Sequence, residues 1–146
     1  MTEPSVSAAL RRLVTARAAS CCEYCHCQAK YAAQSFSIDH IIPRQGGGLT
    51  QADNLALACQ GCNGHKATRT IAMDPVTGVL TPLFHPRQQR WSEHFGWSAD
   101  FTEVIGLTAV GRATVEALKL HRPGLANMRR ILYAAGEHPL VELSAF

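Results

Sequence analysis

The sequence predicts an α+β protein: a ββα unit folded around a four-cysteine zinc knuckle, with one helix before it and a mostly helical extension after it. Three observations predict this. Two C-x-x-C pairs, Cys22/Cys25 and Cys59/Cys62, supply what a four-thiolate site needs, because each short knuckle presents two sulfurs to one tetrahedral ion. The 33 residues between the pairs exceed the roughly 15–20 of a plain zinc ribbon, so the gap houses further structure. Within and just beyond that gap the pattern runs strand, glycine loop, strand, helix.

The elements follow in order. Residues 5–20 read as a helix, with Ser5 or Ser7 as cap and Ala8, Ala9, Leu10, Leu13, Val14 and Ala18 as an apolar stripe. The first knuckle occupies 21–27. Residues 35–41 read as a strand carrying Asp39 and His40 at its end, since Pro43 would interrupt a central ladder. Gln45 and Gly46 to Gly48 form a loop. Residues 55–59 are a second extended segment that delivers Cys59, and a helix runs from Gly61 to about Arg69. Asp74 to Gly78 marks a turn. Beyond it we expect a strand over 79–84, a short helix over 86–95 with Pro86 at its first position, and a hairpin over 95–107. Thr108 would cap a helix over 109–121, and Pro123 would start another ending near Gly136. No repeat or linker breaks the chain, so 1–146 is expected to form one domain, with 71–146 packed on the metal unit.

Composition narrows the class. The chain has 146 residues, 47% hydrophobic and 17% charged, enough to bury a core and too apolar for wholesale disorder. Its charge of +3 lies entirely in residues 1–70, with seven Lys/Arg against four acids; the rest is neutral. The positive half is therefore the cysteine half, as phosphate binding would require. The first twenty residues offer no uninterrupted apolar run for a signal peptide, and nothing approaches the ~18 residues of a membrane span. A cytoplasmic chain with reduced thiols is expected, and there paired C-x-x-C motifs favour metal over disulfides. Cys21 and Cys27 blur the register of the first knuckle; Cys22/Cys25 is preferred because it mirrors the second pair.

The gap also holds chemistry. His40 is the candidate general base, because a neutral imidazole accepts a proton near pH 7. Asp39 beside it converges on the same site only if the strand ends or bends there, since adjacent strand residues face opposite ways. Asn63 and Lys66 share a helix face at about 100° per residue, whereas His65 points away. Asp39 and Asn63 together offer hard oxygen ligands suited to Mg2+ or Mn2+. Arg44, Lys66 and Arg69 are candidate phosphate clamps, and Asn54 could pin the loop that positions His40. Each has a plainer reading as a turn or solvated residue. Trp91, Trp97, Phe95 and Phe101 read as core aromatics, and His85, His94, His121 and His138 receive no role.

These residues resemble the HNH endonuclease family in its zinc-knuckle variety. The likeness rests on Cys22-x-x-Cys25, Asp39-His40-Ile41-x-Pro43, Gly46-Gly47, Asn54-Leu55 and Cys59-x-x-Cys62-Asn63-x-x-Lys66, over roughly residues 20–70. Segment 83–97 is also similar to the tail of some small standalone bacterial members. The resemblance implies a ββα-metal site with His40 as the motif's first histidine and Asn54 as its central asparagine. Asn63 takes the last position, where members carry His or Asn. It further implies hydrolysis of DNA, with RNA left open as substrate, giving 5′-phosphate and 3′-hydroxyl ends. Zinc would be structural and Mg2+ or Mn2+ catalytic, in a monomer or homodimer. Two rival readings stand beside it: a non-catalytic zinc module that binds nucleic acid or protein, and a dithiol redox protein. Neither uses Asp39, His40 and Asn63 together.

Overall fold

The structure is a computed structural model and describes residues 6–140. Helix α1 (Ala8–Arg17) starts at Ser7, whose hydroxyl accepts from the Leu10 N–H, and stops where Ala19 and Ser20 turn left-handed. It is shorter at both ends than the expected 5–20, and residue 5 lies outside the described residues. Strand β1 (Ser37–His40) pairs antiparallel with β2 (Leu55–Ala58), placing Asp39 opposite Ala56 and His40 opposite Leu55. Helix α2 (Gln60–Lys66) follows at once, because the Cys59 sulfur serves as its cap and accepts from the Cys62 N–H. The ββα order predicted for the gap is the order observed.

β2 is buried at every residue. Its edge away from β1 is closed by the chain around the first knuckle. Arg17 donates to the Leu55 carbonyl at 2.5 Å. Glu23 takes the Leu57 N–H on its carboxylate at 2.9 Å, and its own N–H donates to the Leu57 carbonyl at 2.8 Å.

Three elements beyond the metal unit match expectation. The hairpin of β5 (Phe95–Trp97) and β6 (Val104–Gly106) is present, helix α4 (Ala109–Leu118) is capped by Thr108, and α5 (Pro123–Ala134) has proline in its first turn. Two do not match. The expected helix over 86–95 is confined to α3 (Trp91–His94). Segment 85–89 folds as a turn instead, with the Gln89 side chain accepting from the His85 N–H and His85 Nδ1 accepting from the Arg87 N–H. The second is an unforeseen strand, β3 (Ile71–Met73), which pairs with β4 (Leu80–Pro82).

Asp74 organises the turn between β3 and β4. Its carboxylate accepts from the Val76 N–H and the Thr77 hydroxyl, and both oxygens take the Arg112 guanidinium of α4 at 2.9 and 2.8 Å. Thr114, also on α4, accepts from the Phe84 N–H in the core. Helix α4 thus holds the β3–β4 hairpin and the aromatic layer of Phe84, Trp91 and Phe95. Among the described residues no helix is long and apolar enough to cross a membrane.

The Arg112 guanidinium, with the Val76 and Thr77 donors, holds the Asp74 carboxyl well below the usual carboxylate range, against the opposing effect of burial. A depressed carboxyl stabilises the fold above its unfolded pKa of about 3.9 and loses that contribution as pH falls toward its folded value. Asp74→Asn should therefore melt lower than the native protein by a constant margin above about pH 5. That margin should shrink progressively below about pH 4 in thermal melts.

Candidate active site and metal centre

The two knuckles meet. The sulfurs of Cys22, Cys25, Cys59 and Cys62 lie within 4.8 Å of one another, and all four residues are buried. Cys25 and Cys59 sulfurs are 3.7 Å apart, the edge expected of a tetrahedron with Zn–S bonds of about 2.3 Å. The Cys25 and Cys62 N–H groups point at the Cys22 and Cys59 sulfurs, at 3.5 and 3.4 Å. Four ionised thiols this close repel one another unless a cation lies among them. The donor set fits zinc, and with four thiolates it leaves no open position.

Two arginines from the C-terminal extension face this centre, and the sequence did not single them out. Arg122 Nη2 lies 3.7 Å from both the Cys59 and Cys62 sulfurs. It reaches them because residue 61 is glycine; a Cβ there would stand 2.7 Å from the guanidinium. Arg129, buried under Trp97, donates to the carbonyls of Cys25, Thr102 and Leu120. A zinc ion with four thiolates carries two excess negative charges, and these cations offset them.

On the other side of the ββα unit a cleft of about 530 Å3 is lined by Asp39, His40, Arg44 and Asn63. His40 Nε2 is 2.9 Å from the Thr50 hydroxyl and 3.4 Å from Arg44 Nε. The loop that carries Arg44 and Thr50 is held by Asn54. Its amide accepts from the Ile42 N–H and donates to the Ile42 and Leu49 carbonyls, each at 2.9 Å. Gly48 is what lets the loop close so tightly, since a Cβ there would fall 1.7 Å from the Ile42 carbonyl oxygen.

Asp39 is buried beneath His40. Its Oδ2 accepts from the Tyr24 hydroxyl at 2.7 Å and from Lys66 Nζ at 3.1 Å, while Oδ1 keeps only a long 3.4 Å contact to the same ammonium. Burial pushes the Asp39 carboxyl up, and Lys66 and Tyr24 pull it partly back. Tyr24 sits inside the first knuckle, so the thiolate centre and this carboxylate share one tyrosine. Asp39 also lines the cleft.

Lys66 is therefore not placed as a phosphate clamp. Only 1% of its side chain is exposed, and its ammonium also donates to the His40 and Ile41 carbonyls. The face it shares with Asn63 is right, but at Lys66 that face points into the protein. Arg69 is exposed, yet its guanidinium ties the His65 carbonyl to that of Ala117, at 2.5 and 2.8 Å. Of the three expected clamps, only Arg44 lines the cleft. Tyr24 and Thr50 are cleft partners that carry no motif signal of their own.

Residues 22–69 match the family model for HNH endonuclease. That segment is an HNH unit of the zinc-knuckle variety. The matched span starts at the first cysteine of the metal centre and ends just after α2, so it contains the whole ββα fold and every residue lining the cleft. The chain has no match among curated proteins and none among solved structures.

Three outcomes test the placement of these groups. Lys66→Met should lose about 3–5 kcal/mol of stability in urea unfolding, because it strands a buried carboxylate. Arg44→Gln should leave stability within about 0.5 kcal/mol of the native protein, as expected at a partly exposed surface position. Cys59→Ser should bind markedly less zinc by elemental analysis and lose cooperative unfolding.

Proposed function

We propose that the protein hydrolyses DNA phosphodiester bonds in a metal-dependent reaction, nicking one strand per site. The observation that carries this reading is the convergence of Asp39, His40, Arg44 and Asn63 on one cleft within the HNH segment. An imidazole, a carboxylate and an amide around one cavity are a base and two hard ligands; an interaction module has no use for that set.

His40 acts as the general base, taking a proton from the water that attacks phosphorus in line. Thr50, against Nε2, fixes the ring's orientation. Asp39 and the Asn63 amide would hold Mg2+ or Mn2+ as hard oxygen ligands. A divalent ion held there supplies stabilisation of the charge that develops on phosphorus and on the leaving 3′-oxygen. Arg44 offsets the remaining phosphate charge. Lys66 acts one step back: it pairs with Asp39 and holds the carbonyls of His40 and Ile41, so it shapes the hairpin end without touching substrate. Zinc at the four cysteines is structural, and the extension over 71–146 works as part of the same domain through Arg122 and Arg129. Products carry 5′-phosphate and 3′-hydroxyl ends.

Supercoiled plasmid incubated with zinc-replete protein should be nicked with Mg2+ or Mn2+ and left intact with EDTA. His40→Ala should slow nicking by about 10²-fold or more while keeping its zinc and its fold. Intact plasmid under every metal, from a folded zinc-loaded protein that still binds DNA, would instead identify a binding module.

A further inference from the structure

A second cavity of about 510 Å3 lies on the opposite edge of the catalytic hairpin, between the end of α1, the first knuckle and segment 84–91. Its size falls within the range of small-molecule sites, and its walls follow their usual plan: mostly apolar, with a few convergent polar groups. Phe84, Pro86 and Trp91 make an apolar, largely aromatic wall. Against it stand three guanidiniums, Arg17, Arg87 and Arg90, and one carboxylate, Glu23.

Two features mark these arginines as more than lining. The first is a charge imbalance. Three guanidiniums face Glu23, which pairs with Arg87, and Asp53, whose charge also reaches Arg17, so the cavity keeps a net positive charge. The thiolate centre next door is offset separately by Arg122 and Arg129. The second is hydrogen bonding. Arg17 Nε and Arg87 Nη1 are buried and have no acceptor. A buried donor left without an acceptor costs about 1–3 kcal/mol, more when charged, so such groups are rare unless something else completes them.

We propose that this cavity binds a phosphomonoester joined to a flat ring, the chemistry of a nucleoside monophosphate. A guanidinium fork matches phosphate oxygens bidentately. A terminal phosphate carries close to two negative charges at neutral pH and suits a cavity of net positive charge. The aromatic wall accepts the ring. The site is separate from the cleft holding His40 and does not depend on catalysis there. The phosphate can arrive on a free mononucleotide or on the 5′ end of a strand.

Isothermal titration of the zinc-loaded protein, without added Mg2+, distinguishes these. Deoxyadenosine 5′-monophosphate should bind one per chain, at least tenfold more tightly than deoxyadenosine or inorganic phosphate alone, and should change the fluorescence of Trp91. Arg90→Gln, at an exposed rim position that leaves the fold intact, and Arg87→Gln should each weaken binding at least tenfold. Arg44→Gln, in the other cleft, should bind as the native protein does. A 5′-phosphorylated tetranucleotide that binds equally well in an Arg90-dependent way identifies a strand end; binding of the mononucleotide alone identifies the free ligand. The proposal is overturned by no saturable binding of either probe at millimolar concentration, or by binding that Arg44→Gln removes and Arg90→Gln leaves unchanged.

Discussion

The packing of four sulfurs into one tetrahedron is the constraint on which everything else in this protein rests. It brings residues 22–25 against residues 59–62 and so closes the intervening chain into a loop of fixed ends. Closing a loop of that length costs conformational entropy that grows only slowly with length, and a metal–thiolate centre readily exceeds it. Once the ends are fixed, the interior of the loop has little choice. Two four-residue strands and a seven-residue helix would be marginal alone. Here they are held at both ends, and Cys59 is ligand and helix cap at once.

The centre also transmits order in two directions. Toward the cleft, Tyr24 carries it to Asp39 through a single buried hydrogen bond, and Lys66 locks the same carboxylate from α2. Toward the C-terminal extension, Arg122 reaches the Cys59 and Cys62 sulfurs and Arg129 the Cys25 carbonyl. The extension is thus coupled to the metal unit by charge as well as by apolar packing. A centre with two excess negative charges needs such cations nearby once it is removed from water.

Much of this was legible in the chain because the signals are local. Cysteine spacing, the Thr108 cap, the proline at the start of α5 and Pro43 just after Asp39-His40 each act over a few residues, and each element appeared where those signals put it. The failures have equally specific causes. Three-residue β3 is too short to show a period, and its existence depends on a partner seven residues on and on Arg112 gripping Asp74. Pro86 looked like a helix start, but side-chain bonds from His85 and Gln89 satisfied the backbone as a turn first. For Lys66 the helical angle was right and the direction of the face was not, because that depends on where Asp39 and Tyr24 lie in three dimensions. Arg122 sits 60 or more residues from the Cys59 and Cys62 sulfurs and Arg129 104 residues from the Cys25 carbonyl, with no motif to announce them.

The outer margin of β2 has one further consequence. A two-stranded sheet ordinarily offers a row of free amides and carbonyls to any extended chain that drifts past, which is how edge-to-edge aggregates begin. In this protein the margin is sealed by the Arg17 and Glu23 side chains and the Glu23 amide, so there is no template to copy. The hairpin that carries Asp39 and His40 can therefore stay small, apolar and densely packed without recruiting a neighbour's strand.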